Sequence, residues 1–115
     1  MNELSIQRRK NFIRKLVANA RAIVSNQIAI PMGMLKMDRI IRRINDIEPI
    51  SGIDLQVFFE YNSKTTPFLV GTERLYAEEK FLIKQDKELD ALTIEYKDQI
   101  LHKCREIISQ FSNVT

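Results

Sequence analysis

Three of the four methionines, the single histidine and the single cysteine are the side chains of this chain best suited to metal or redox chemistry. Met32, Met34 and Met37 crowd into "NQIAIPMGMLKMDRII", where thioether sulfurs could bind Cu(I). Such a site needs several sulfurs to converge. Met32 and Met34 are two residues apart, about 200° around a helix, so they point opposite ways. His102 and Cys104 lie far along the chain and are also two apart. The stretch reads better as structure. Pro31 clashes with a continuing helix, Gly33 lets the backbone bend or another helix approach closely, and Met side chains fill the irregular space beside a bend. A corner or kink near residues 31–33 is expected, with no metal and no cofactor.

No arrangement for catalysis stands out. The sequence has no nucleophile elbow, no phosphate-binding glycine loop, no H-E-x-x-H and no carboxylate cluster at metal spacing. His102 lies between Leu101 and Lys103 and reads as a boundary residue of a helix. The chain is read as non-catalytic. Four polar residues set among apolar ones remain as a candidate contact patch: Gln27, Glu60, Lys64 and Arg74. Glu60 and Lys64, four apart, have the favourable order for a helical ion pair.

Charge is the other signal. Residues 1–43 carry ten Lys/Arg against two acids, a balance of +8, while residues 44–115 carry −5. Arg14, Lys15, Arg21, Lys36, Arg39, Arg42 and Arg43 form a candidate basic face that would suit a phosphate backbone. The competing reading packs the two halves together, with their charges facing across helix seams. No recognition-helix motif, aromatic platform or zinc spacing accompanies the basic residues.

The elements that must hold these residues are helices. Apolar residues from Phe12 to Ile28 recur at helical spacing, which predicts a first helix over residues 5–29 with Gln27 on its apolar side. A second run begins at Met34 and includes Met37, Ile41 and Ile44, and "DIEPISG" stops it. "DLQVFFEY" suits a short helix capped by Asp54 or a strand. A single strand would have no partner, so helix is preferred. "NSKTTPFLVGT" reads as loop, and Thr72 as the cap of a short helix carrying Leu75, Tyr76 and Leu82. From Asp86, the steps Leu89, Leu92, Tyr96, Ile100, Cys104, Ile107 and Phe111 predict a helix about 40 Å long. Ile94, Leu101 and Ile108 add a second apolar side to it, which neighbours or a second copy could cover. The expected fold is all-α, one domain over residues 1–115, a compact bundle of four to five helices.

One cysteine allows no internal disulfide and fits a reducing cytoplasm. The opening residues lack the h-region of a secretory signal, and no apolar run reaches spanning length. No membrane attachment is expected.

"ARAIVSNQIAIPMGMLKM", "FFEYNSKT", Arg74 and "DKELDALTIEY" together resemble a mainly proteobacterial family of small domains described only as a domain of unknown function. The likeness runs from about residue 19 to 96. Its pattern includes Gln27, Gly33, Phe58, Glu60, Lys64, Thr65, Arg74, Asp86, Leu92 and Tyr96, and so adds Thr65 to the candidate patch. Some members begin with a membrane-anchoring helix, which this sequence lacks. The resemblance implies a bacterial, all-helical domain and no activity. The expected partner is another protein, for an adaptor or a stoichiometric inhibitor of immunity type. Nucleic acid is the alternative, and a homodimer remains open.

Overall fold

The computed structural model describes residues 2–68 and 71–114. Four α-helices follow one another: α1, Glu3–Val24; α2, Ile30–Ile47; α3, Gln56–Thr65; and α4, Glu79–Phe111. Two 3-10 turns, Gly71–Tyr76 and Ser112–Val114, flank α4, and no strand occurs among the described residues. Residues 56–61, which also suited a strand, are therefore helical.

Each helix end has a local cause. Asn2 starts α1 by accepting the Ser5 amide on its side-chain oxygen at 2.8 Å. The helix stops at Val24, five residues earlier than the periodicity predicts. Asn26 adopts a left-handed φ of 62°. The amides of Asn26 and Gln27 donate back to the Ile23 and Ala22 carbonyls, the two bonds of a Schellman ending. Gln27 thus lies beyond the helix and is exposed, not on its apolar side. The expected corner is present, and the reversal itself occupies residues 25–29. Pro31 does not break a helix; it sits in the first turn of α2, where its missing N–H costs nothing. α2 therefore begins four residues before Met34.

α2 ends before Pro49, and the Asn45 side chain accepts the Ile50 amide at 2.9 Å. Arg9 donates to the Glu48 and Pro49 carbonyls, placing a cation at the negative end of α2. Asp54 accepts the Gln56 amide at 2.9 Å and so starts α3. This helix runs through Thr65, so the predicted loop begins four residues later than expected. Residues 71–76 form a 3-10 turn instead of an α-helix, and Leu82 belongs to α4. With 33 residues, α4 is about 50 Å long and starts seven residues before Asp86.

α1 is the central helix, packed along α2 on one side and α4 on the other, while α3 bridges α2 and α4. The fully buried centre comprises Leu16, Met34, Met37, Ile41, Ile44, Phe58, Tyr61, Ile100, Cys104 and Ile107. Met34 and Met37 are core packing, and Met32 is half-buried. The molecule measures 51 × 28 × 22 Å. Among the described residues no helix is long and apolar enough to cross a membrane.

Candidate functional site

The five residues of the polar patch do not gather. Gln27 borders a groove between α1 and α2. Glu60 lies in a separate recess near Gln99 and His102. Among the described residues Lys64 forms no ion pair with Glu60; its Nζ stands 5.0 Å from the centre of the Tyr96 ring. Contact with the Tyr96 side chain holds the Lys64 ammonium above its ordinary pKa. Thr65 donates its hydroxyl to the Tyr61 carbonyl at 2.8 Å, finishing α3. Arg74 grips Asp86 through two bonds of 2.6 and 2.9 Å. That fork holds the Asp86 carboxyl below the usual range and raises the guanidinium. Lys64 and Arg74 thus tie elements together, while Thr65 closes its own helix.

The basic residues are brought together in part. Lys15 of α1 and Lys36 and Arg39 of α2 converge on the α1–α2 groove, which has a volume of about 580 Å³ and a floor of Ala18, Ala22, Ile28 and Ile40. Along the same seam, Lys15 and Arg43 bracket the Phe12 ring, 5.6 and 5.8 Å from its centre. Arg8 and Arg43 border the next recess with Asp46. The seam exists because α1 and α2 run antiparallel and bury one apolar stripe each, leaving their long cationic side chains along the edge.

Other members of the face lie elsewhere. Arg14 and Arg21 are seven residues apart and share a side of α1 that is ~100° or more around from Lys15. Arg14 donates to Asn11 at 3.2 Å. Arg42 pairs with Asp38 at 3.0 Å and borders a second groove, between α2 and α3.

The acidic half does not neutralise this seam by direct pairing. Among the described residues the ion pairs are Arg42–Asp38, Arg74–Asp86, His102–Glu106 and Lys103–Glu106. None joins a cation of α1 or α2 to an acid of α3 or α4. Among the described residues Lys15, Lys36, Arg39 and Arg43 have no carboxylate within 4.0 Å.

Two polar residues escaped the reading of the sequence. Asn19 is buried between α1 and α2 and donates to the Gly33 carbonyl at 2.9 Å. Asn62 borders the α2–α3 groove, and its side-chain nitrogen is buried with no hydrogen-bond partner among the described residues. Cys104, fully buried, has its thiol pushed up to about 12 by desolvation, which keeps it protonated and unreactive. No family model, no curated protein and no solved structure matches this chain.

Proposed function

We propose that this chain is a non-catalytic binding protein that takes the phosphate backbone of a nucleic acid along the α1–α2 seam. The observation that carries the reading is the convergence of Lys15, Lys36 and Arg39 on one open groove, with no carboxylate among the described residues paired to any of them. Arg43 and Arg8 extend the line of cations toward the start of α1. Long cationic side chains over an apolar floor suit a sugar–phosphate chain. Sequence would be read weakly, since the amide suited to a base edge on this groove's border is that of Gln27 alone beside the bonded Asn19.

Counterion release gives the test its size. A seam that neutralises about four phosphates should lose ~100-fold in affinity between 50 and 200 mM salt. Fluorescence anisotropy with a labelled 20-base duplex and single strand measures this directly. Lys15→Glu with Arg39→Glu should abolish binding. Arg14→Glu with Arg21→Glu makes the same change in net charge off the seam and should leave most of it. Equal losses from the two pairs would reduce the effect to net charge and sink the proposal.

A second reading, a protein-interaction module of adaptor or stoichiometric-inhibitor type in a reducing bacterial cytoplasm, is favoured by a different observation. The α2–α3 groove, about 490 Å³, is bordered by Pro31, Leu35, Phe59 and Phe68 as well as by hydroxyls and the unpaired amide of Asn62. Phe59 there is 43 % exposed. A protein partner that survives nuclease and high salt would move this reading to first place.

A further inference from the structure

The second apolar side of α4 is only half covered. Ile83, Ile94 and Leu101 fall within ~20° of one line along the helix, since steps of eleven and seven residues nearly close whole turns. Leu101 packs against the core, whereas Ile94 is 74 % exposed and Ile83 is 51 % exposed. Beside Ile94 runs a groove of about 640 Å³, bordered by Val24, Ala29 and Ile30 at the α1–α2 corner and by Leu101. Asp90 and Lys97 stand on its α4 wall, on either side of Ile94. Among the described residues neither has an ion-pair partner.

We propose that this groove is the interface of a two-fold homodimer in which α4 pairs antiparallel with α4 of a second copy. The charges choose this occupant. In an antiparallel pair, facing residue numbers have a constant sum, so setting Asp90 opposite the partner's Lys97 also sets Lys97 opposite the partner's Asp90. The axis then passes beside Thr93 and Ile94. This self-complementarity is what a two-fold interface requires, and an unrelated helix has no reason to match it. Ile94 of each copy enters the groove of the other beside Thr93 and covers Val24 and Ile30. Ala91, small and exposed, lets the two helices come close, and Lys87 falls near the partner's Asp98. The basic seam remains free, because Lys15 and Val24 lie on opposite sides of α1, nine residues or ~180° apart.

Sedimentation velocity on the full chain, over a concentration series, tests the interface. The wild type should dimerise. Asp90→Lys alone creates two lysine–lysine contacts per dimer, and Lys97→Asp alone creates two aspartate–aspartate contacts. Each should raise the dissociation constant ~100-fold and leave far-UV circular dichroism unchanged. Mixing the two variants makes both contacts complementary again and should restore a one-to-one dimer. Ile94→Glu should remain a monomer alone and in any mixture. A wild type that stays monomeric up to about 100 μM, where an interface of standard size is populated, would overturn the proposal. So would a wild-type dimer whose variants do not recover on mixing.

Discussion

At Gly33 a missing carbon sets how closely α1 and α2 approach. A Cβ there would lie 2.5 Å from Ile23 Cγ1 and 2.9 Å from Cδ1, well inside contact distance. The Gly33 carbonyl also accepts the buried Asn19 amide, so the same residue carries a contact and a hydrogen bond. Alanine would gain about 1 kcal/mol of helix propensity. Overpacking costs about 1–3 kcal/mol, and Ile23 is itself buried and has little room to turn. The clash should win. Gly33→Ala is expected to lower the stability by a net of up to about 2 kcal/mol, seen as a lower urea midpoint with an unchanged slope. A midpoint that rises would show that the helices can part freely. From the sequence Gly33 could serve a bend or a close approach, and the contact with Ile23 shows that it serves the second. The role of Asn19 was not legible there, since its acceptor lies fourteen residues away. Gln27 was misplaced because apolar spacing continued past the end of α1. Asn26, one of the few residues tolerant of a positive φ, was the signal that could have placed it.

α4 shows where periodicity informs and where it falls silent. Leu89, Tyr96, Ile100, Cys104 and Ile107 are all buried, as their spacing predicts. The helix begins seven residues before Asp86, and nothing in it before Gln85 is fully buried, so no stripe marks those turns. What anchors the 3-10 turn to them is the Arg74–Asp86 fork, a pairing over twelve residues without local signature. Arg74 holds the Asp86 carboxyl below its ordinary 3.8, so the unfolded chain takes up that proton first as pH falls. The stability from the pair is therefore complete above 3.8 and disappears as pH drops through the lower folded value. Asp86→Asn should melt below the wild type at neutral pH, and the gap should close well below 3.8. A gap that persists in acid would assign the loss to packing.

Over the whole molecule the +8 of residues 1–43 is carried chiefly by α1 and α2, and among the described residues no ion pair joins a cation of these helices to an acid of α3 or α4. At its isoelectric point near 9.1 the chain should therefore still be held by a sulfonate cation exchanger, which sees the basic helices and not the sum. Passage without retention would mean that the charges mix over the surface. The all-helical fold was legible at this scale because scarce glycine and proline agree with the helical spacing of α1, α2 and the later turns of α4, and because a single strand at residues 54–61 would have lacked a partner. The grooves were not, since each forms where residues distant in sequence meet. The ring pair that docks α3 on α4 has a spectroscopic consequence. Tyr61 and Tyr96 meet edge to face at 6.0 Å, with the Tyr61 hydroxyl bonded to Thr93 at 2.9 Å. The chain has no tryptophan, and its third tyrosine, Tyr76, is 92 % exposed. The near-ultraviolet dichroism of the native protein thus originates chiefly in that one contact. It reports the seating of α3 while the far-ultraviolet signal counts helix, so the two can be followed apart in a single cuvette.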